Sequence, residues 1–319
     1  MEDRITTNDG HDGVDRRGFL KCMAWAGTGL AWTVSSGILA SRAMGRTLGD
    51  QAVGDFTFVQ LSDSHIGFSK PTNQNVTATL EEAVRRVNAL PERPAFILHT
   101  GDLTHLAKPA EFDTCAQVLT GAKTGEVFYV PGEHDVFTDD GKRYLERYGK
   151  GTRGTGWRSF DYKGVHLVGL VNVMNLKDMK AAGLGLLGPE QLAWLKEDLA
   201  PLAASTPVVV YAHVPLWSVY PKWGWGTEDS EQALSYLKRF GSVTVLNGHI
   251  HQILQKVEGN VMFHTARSTA FPQPAPGMAE SPGPIKNVAA DRLRSMLGIT
   301  KVDYIERSQL LAATDSTLD

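Results

Sequence analysis

Cysteine is scarce in this chain of 319 residues, which contains two, Cys22 and Cys115. Two cysteines cannot build the multi-thiolate cage that is typical of a structural zinc site. They also cannot form the disulfide framework of a small stapled domain. The folded domain must therefore be stabilised mainly by its hydrophobic core, and the scarcity of thiolates argues against a structural zinc site.

A large excess of charge of one sign is also missing. The formal net charge at pH 7 is −3, and no run of basic residues stands out along the sequence. Long-range attraction to nucleic acid or to anionic lipid is therefore not expected, and we predict no binding to nucleic-acid duplexes. Recognition of a phosphate group would have to be local. The 42% of hydrophobic residues is sufficient for a substantial core.

The N-terminal stretch resembles a twin-arginine export signal. The sequence RRGFLK at residues 16–21 is followed by a weakly hydrophobic segment that is rich in Gly, Ser and Thr. Small residues at Ser41 and Ala43 predict cleavage after Ala43, so that Cys22 would be removed and no intramolecular disulfide is possible. We predict a signal peptide at 1–43, a linker at 44–53, export by the twin-arginine machinery, and a periplasmic or secreted protein without a stable membrane span. An uncleaved N-terminal anchor is the alternative.

From residue 54 onward, short apolar runs alternate with helical patterns, which predicts an α/β layered domain. The predicted strands are 56–61, 95–98, 127–130, 165–171, 207–211, 243–246 and 261–264. The predicted helices are 76–89, 189–199 and 228–240. We place the domain at 54–270. We expect the Pro-rich C-terminal segment, 271–319, to pack on the same domain, with a short helix, one surface strand and a frayed tail.

Side chains that commonly bind metal ions follow five of the predicted strands. In open α/β sheets, ligands collect outside the carboxyl ends of the strands, so these side chains should meet at one edge. Carboxylate and imidazole groups suit Mn, Fe or Zn ions. The sequence therefore predicts a metal site at this edge. The residues concerned are Asp63, His65, Asp102, Glu133, His134, Asp135, His213, His249 and His251.

The order and spacing of these residues resemble the calcineurin-like metallophosphoesterases. The motifs are Asp63-Ser-His65, Gly101-Asp102, Gly132-Glu133-His134-Asp135, His213 and Gly248-His249-Ile-His251. The resemblance implies an αββα sandwich, in which two mixed sheets are flanked by helices and a dinuclear metal site lies at the strand C-terminal edge.

The resemblance also implies roles for the individual side chains. One metal ion would be held by Asp63, His65 and His251. The other ion would be held by Glu133, His213 and His249, with Asp102 bridging the two ions. His134, oriented by Asp135, would lie beside the substrate without binding metal.

The predicted function is that of an exported phosphoesterase with two metal ions. Two metal ions about 3.5–4 Å apart can bridge a hydroxide and clamp phosphoryl oxygens. His134, paired with Asp135, would assist the leaving group, a contribution of about 10²–10⁴-fold. Diesters are favoured over monoesters, because no Arg cluster is evident to hold a dianion. The alternative is a non-catalytic metal-binding or partner-binding protein on the same fold.

Glu133 departs from the Asn that is usual at this position of the family. A carboxylate oxygen can bind a metal ion as an amide oxygen does, but it adds negative charge. We predict that metal binding is retained and that activity is altered. The alternative is that Glu133 turns away from the metal.

Several other residues have two interpretations. The aromatics of segment 215–230, namely Trp217, Tyr220, Trp223 and Trp225, could contact a substrate or form the small core of a lid. His105 either supports the site from outside the metal centre or is merely exposed. We expect His99, His166 and His264 to be buried and hydrogen-bonded.

Overall fold

The structure is a computed structural model that describes residues 29–35, 38–44, 53–174 and 185–319. In the N-terminal unit, strands β1 (Gly29–Ser35) and β2 (Ile38–Met44) pair antiparallel. The twin-arginine motif at residues 16–21 lies outside the described residues and stays a prediction. In the described part of the chain, no helix combines the length and hydropathy that a membrane crossing requires.

The second unit, which begins at Gln51, contains a five-stranded sheet in the order β13-β12-β3-β4-β5. The three strands β3, β4 and β5 run parallel, whereas β12 is antiparallel to β3 and β13 is antiparallel to β12. Their bounds are β3 Phe56–Leu61, β4 Phe96–His99, β5 Glu126–Tyr129, β12 Gly298–Ile305 and β13 Leu310–Thr317.

A six-stranded sheet follows the order β10-β11-β9-β8-β7-β6. Its four inner strands are parallel, and the two edge strands β6 and β10 are antiparallel to their neighbours. Their bounds are β6 Arg158–Tyr162, β7 Val165–Gly169, β8 Val208–Ala212, β9 Val243–Asn247, β10 Gln255–Glu258 and β11 Val261–Thr265. The edge strands were absent from our prediction because neither has a continuous apolar run.

Helices cover the outer faces of both sheets. The helices Val76–Asn88 and Pro109–Leu119 share a buried core with β3 and β4, and Pro189–Leu199 and Ser230–Leu237 do so with β8 and β9. Proline stands at the first helical position of 109–119 and 189–199, where its missing N–H is not needed. The remaining α-helices are Glu133–Val136, Lys142–Tyr148 and Ala290–Met296.

The two sheets pack face to face through a third core that is rich in aromatic side chains. Phe58 and Phe96 of one sheet stack with ring centroids 5.0 Å apart, and the same core contains Leu167 and Tyr211 of the other sheet. Full burial of one such apolar side chain contributes about 1.5–3 kcal/mol. The layers are therefore helix, sheet, sheet and helix, and the predicted αββα sandwich of two mixed sheets is confirmed.

The C-terminal residues contribute more to the fold than the sequence suggested. We expected one surface strand and a frayed tail, but β12 pairs with β3 from Thr300↔Gln60 to Tyr304↔Phe56 and β13 follows as a second strand. Leu318 is fully buried. Only the tertiary structure shows the reason, which is that β12 covers the edge of β3 that would otherwise be unpaired.

His166 connects the edge of the six-stranded sheet to the helix 189–199. Its Nδ1 lies 2.8 Å from the Asp161 carboxylate and its Nε2 lies 2.9 Å from the Asp198 carboxylate. Burial alone would lower the pKa of His166, but the hydrogen bonds to the two carboxylates outweigh burial and raise the pKa to about 9. The imidazolium is therefore the form that the fold stabilises.

This shift predicts a loss of stability in mild base. Because the folded pKa lies above the unfolded value of about 6.5, the stabilisation is complete below pH ~6.5 and disappears as pH rises through about 9. The free energy of unfolding should fall by up to about 3 kcal/mol over that window. Denaturant titrations of the wild type and His166→Gln across this range measure the effect. Equal pH dependence in the two proteins would contradict the assignment.

Candidate metal centre

The carboxyl ends of strands from both sheets meet at one edge of the sandwich, and backbone hydrogen bonds tie the loops that follow them. The Asp63 N–H donates to the Gly101 carbonyl at 3.0 Å, and the His65 N–H donates to the Asp102 carbonyl at 2.9 Å. The Asp63 carboxylate accepts from the backbone N–H of His249 at 3.1 Å. These hydrogen bonds therefore set the positions of the predicted ligands relative to one another.

The backbone at these positions is left-handed, a conformation that residues other than glycine rarely adopt. Each such residue costs on the order of 1–3 kcal/mol and persists only where its surroundings enforce it. Five of the seven predicted metal ligands adopt it. They are Asp63 (φ 54°), His65 (φ 40°), Asp102 (φ 53°), His249 (φ 70°) and His251 (φ 54°).

The first group of ligands is buried and consists of Asp63, His65 and His251. The Nε2 atoms of His65 and His251 lie 3.2 Å apart, and Nε2 of His251 lies 3.3 Å from Oδ1 of Asp63. The ligand atoms of all three residues lie within 4.8 Å of one another, a spacing that one metal ion could span. These are the three residues that the family resemblance assigned to one ion.

The second group consists of Glu133, His213 and His249. The two oxygens of the Glu133 carboxylate lie 2.9 Å from Nε2 of His213 and 3.0 Å from Nδ1 of His249. Asp102 stands between the groups, because its Oδ2 lies 3.4 Å from Nε2 of His65 and 3.5 Å from Nε2 of His213. The structure thus brings all seven predicted ligands together, and it directs Glu133 toward the two histidines.

The hydrogen bonds around the histidines fit metal binding. The Nδ1 atoms of His213 and His251 lie 2.7 Å and 2.6 Å from the backbone carbonyls of Thr100 and Phe271, so each Nδ1 is the N–H donor and each Nε2 is the nitrogen that could bind an ion. Nε2 of His213 and Nδ1 of His249 lie at ion-pair distance from Glu133 but without hydrogen-bond geometry, and the buried Nε2 of His249 has no hydrogen-bond partner. Buried polar atoms are normally satisfied. A pair of metal ions would satisfy these.

The electrostatics agree with this interpretation. Burial alone would raise the pKa of the Asp63 carboxyl, but His251 and His213 lower it below its ordinary value. Burial would likewise raise the pKa of Glu133, and His249 and His213 hold it well below its ordinary value. Burial and the neighbouring histidines lower the pKa of His65. The site therefore favours ionised carboxylates and a neutral His65, the forms that metal ions require. Burial would lower the pKa of His213, but Asp102 and Glu133 raise it well above its ordinary value, so an ion bound at its Nε2 would displace a proton.

The predicted pairing of His134 with Asp135 is wrong. Both oxygens of the Asp135 carboxylate accept backbone N–H groups, from Leu103 at 3.1 Å and from Thr104 at 2.9 Å. The Nδ1 of His134 instead lies 2.8 Å from the His105 carbonyl. The reason is local, because both residues lie on the short helix Glu133–Val136, where consecutive side chains point in directions about 100° apart. Asp135 therefore ties the loop after β4 to this short helix, whereas His134 borders the cleft.

Two more residues contact the site: His105, for which the sequence left support of the site or simple exposure open, and Phe271, to which it assigned no role. The ring of His105 stacks on His134, with centroids 4.9 Å apart. The ring of Phe271 packs against His65 and His251 at 4.8 Å and 4.6 Å. The position of His105, three residues after Asp102, was its signal. Phe271 belongs to the Pro-rich C-terminal segment, which thus reaches the site at this residue.

The aromatic segment that follows His213 has a small core of its own. Trp223 and Trp225 are buried with Ile250, and their rings meet edge to face at 5.1 Å. Trp217 is half-buried and packs against Phe263. These contacts favour the interpretation of this segment as a packed lid. His99, His166 and His264 are buried and hydrogen-bonded, as expected.

A sandwich of two mixed sheets with two adjoining ligand groups at one edge fits the class of metal-dependent hydrolases. The family model described as "Calcineurin-like phosphoesterase" matches residues 56–253. The chain therefore belongs to the calcineurin-like phosphoesterase family, and the hydrolase class predicted from the sequence is confirmed at the level of this family.

Two curated proteins are similar to the chain in sequence. The glycerophosphodiester phosphodiesterase GpdQ of Enterobacter lignolyticus is 26% identical over 188 residues, which are 56% of this chain and 64% of that protein. The chain thus matches less than two thirds of GpdQ. A probable cyclic nucleotide phosphodiesterase of Rhodopseudomonas palustris is 25% identical over 223 residues, which are 67% of this chain and 78% of that protein.

The fold is also similar to that of a solved structure. A dimetal phosphatase from Danio rerio has a TM-score of 0.58 and 15% sequence identity, and the alignment covers 83% of this chain and 99% of that one. At this identity the similarity concerns the fold alone. The family implies two metal ions in the cleft.

Proposed function

We propose that this protein is an exported phosphoesterase with two metal ions that hydrolyses phosphodiester bonds. The observation that carries the proposal is the convergence of seven carboxylate and imidazole ligands in two adjoining groups, with the His134 ring beside them at 4.8 Å from the ring of His65. Phosphomonoesters are the second class of substrate that such a site could accept.

The residues that would hold the ions are those of the two ligand groups, with Asp102 shared between them. When bound, the ions would supply Lewis-acid polarisation of the phosphoryl group and activation of the attacking water. The protein orients this centre, because the carbonyls of Thr100 and Phe271 hold two of the histidine rings. Such partners outside the ligand set typically change metal affinity or activity by about 10–100-fold.

His134 would act on the leaving group. Its Nδ1 is engaged with the His105 carbonyl, and its backbone N–H donates to Oδ1 of Asp102 at 2.9 Å, which fixes the residue beside Asp102, between the two ligand groups. Its Nε2 is therefore the nitrogen that can carry a proton to the departing oxygen. Phe137 lies beside it with ring centroids 5.8 Å apart and is 49% exposed, so an apolar part of a leaving group could contact it.

The preference for diesters has two supports. The sequence contains no evident cluster of Arg to bind a dianionic monoester. Two of the curated relatives are called phosphodiesterases, one for glycerophosphodiesters and one for cyclic nucleotides, whereas a third, from Danio rerio and 27% identical over 230 residues, is called a serine/threonine-protein phosphatase. Export through the twin-arginine machinery to the periplasm or the exterior rests on the sequence RRGFLK and the weakly hydrophobic segment after it.

The proposal is tested by measuring hydrolysis of bis-p-nitrophenyl phosphate with metal-stripped protein. We expect no turnover without metal and recovery on addition of Mn²⁺, Fe²⁺ or Zn²⁺, because the ligand set suits all three. Metal content is measured by elemental analysis on the same samples. Stoichiometric metal binding without turnover by any of these ions, on diesters or on monoesters, would instead support the non-catalytic binding protein.

A further inference from the structure

The ring of His105 lies face to face with the ring of His134. The centroids are 4.9 Å apart and the ring planes are inclined by 17°. The same residue also provides the carbonyl that accepts the Nδ1–H of His134 at 2.8 Å. One residue therefore restrains His134 in two ways, through its backbone and through its side chain.

His105 is itself held in place. Phe68 meets its ring edge to face at 5.2 Å, and the ring of His65 meets it at 5.6 Å with an angle of 67°. His65 also meets the ring of His134 at 4.8 Å and 81°. The stack is thus supported by a buried metal ligand on one side and by the buried Phe68 on another. His105 is half-buried, so its ring can be replaced without opening the core.

A stacked ring restricts rotation of His134 about its side-chain bonds. Without the neighbouring ring, the hydrogen bond to the backbone carbonyl would still allow the imidazole to tilt. A proton donor must be held within about 0.5 Å and 10–20° of the productive geometry, and packing by a neighbouring residue usually provides this restraint. No carboxylate contacts the His134 ring as a hydrogen-bond acceptor among the described residues, since Asp135 is directed to the backbone of Leu103 and Thr104.

We propose that His105 is a positioning residue, whose ring holds His134 in the orientation that directs Nε2 of His134 toward the leaving group. The kinetic part of this proposal rests on the proposed function. It predicts that His105 matters most for esters whose leaving group needs a proton. It also predicts that the flat ring, rather than the imidazole nitrogens, is what the site requires.

The kinetic test compares two diesters of similar shape, bis-p-nitrophenyl phosphate and diphenyl phosphate. Phenolate is a much poorer leaving group than p-nitrophenolate, so it depends more on proton donation. We expect His105→Ala to lower kcat for diphenyl phosphate roughly tenfold, a part of the about 10²–10⁴-fold that general acid catalysis contributes. The kcat for bis-p-nitrophenyl phosphate should change less than about twofold, and His105→Phe should behave as the wild type.

A second measurement does not depend on activity. In the full-length protein loaded with diamagnetic Zn²⁺, the ring protons of His134 should show an upfield shift in NMR spectra from the stacked ring. The resonances are assigned by their absence in His134→Asn. The upfield shift should be lost in His105→Ala and kept in His105→Phe. A shift that is unchanged in His105→Ala would overturn the positioning role, whether or not the protein turns over any ester.

The two measurements distinguish the positioning role of His105 from the proposed phosphoesterase function. An NMR shift that disappears in His105→Ala, in a protein without turnover, would leave the positioning of His134 intact and refute the phosphoesterase. Equal losses of diphenyl phosphate turnover in His105→Ala and His105→Phe would refute the ring-packing role. A third zinc ion per chain that is lost in both variants would also refute it, because His65, His105 and His134 would then be metal ligands.

Discussion

Replacing His134 with Asn is expected to lower turnover of diphenyl phosphate by about 10²–10⁴-fold, the usual contribution of general acid catalysis. The proton would come from Nε2, because Nδ1 is engaged with the His105 carbonyl. Asn keeps the backbone N–H that donates to Asp102 but cannot donate a proton to the leaving group. The measurement is kcat for diphenyl phosphate and for bis-p-nitrophenyl phosphate, with metal content determined on the same protein.

The metal content decides how this result is interpreted. We assign His134 a role beside the substrate, so His134→Asn should retain both ions. The loss should also be smaller for bis-p-nitrophenyl phosphate, whose leaving group departs without a proton. A variant that loses one ion, or that loses activity equally on both esters, would show that His134 acts through the metal centre instead.

Removing the Glu133 carboxylate is the second change with a large expected effect. Its oxygens lie 2.9 Å from His213 and 3.0 Å from His249. Glu133→Ala should therefore weaken binding of the second ion by more than the about 10–100-fold that is typical for residues outside the ligand set. Activity should fall with it. Isothermal titration of the metal-stripped variant with Zn²⁺ measures the affinity.

The matched variant Glu133→Asn keeps an oxygen ligand and removes one negative charge. Both ions should still bind, because an amide oxygen can replace a carboxylate oxygen. The KM for an anionic ester should fall about fivefold, since a unit charge at ~4 Å is worth about 1 kcal/mol even in bulk water. A native protein that lacks the second ion, together with a Glu133→Asn variant that binds it, would contradict the assignment of Glu133 as a ligand.

The sequence predicted the seven ligands because each follows a strand that could be recognised from its apolar run. The burial of β3, β8 and β9 on both faces makes these runs continuous, and the parallel arrangement brings their carboxyl ends to one edge. The ligand groups are therefore a direct consequence of the strand order. The left-handed backbone at Asp63 and Asp102 is not visible in the sequence, since neither is glycine.

The predictions from the sequence were wrong where tertiary contacts determine the partner of a side chain or strand. Asp135 follows His134 in sequence, but the helix 133–136 turns their side chains apart and Asp135 binds the loop after β4. Phe271 and strand β12 reach the site and the sheet from the C-terminal part of the chain, far in sequence from the residues they contact. Such contacts form only when the layers assemble, so they leave no periodic pattern in the sequence.

The sequence patterns alone therefore determined the α/β layered class and the metal-binding side chains at the strand ends, because hydrophobic periodicity and residue chemistry are local properties. The αββα sandwich, the roles of the ligands and the hydrolase class followed from the resemblance of the motifs to a known family. Only the tertiary structure decided that Glu133 faces His213 and His249, that His105 stacks on His134, and that β12 completes the first sheet. The physical reason is that the orientation of a side chain depends on packing and hydrogen bonds to residues distant in sequence, which no local pattern encodes.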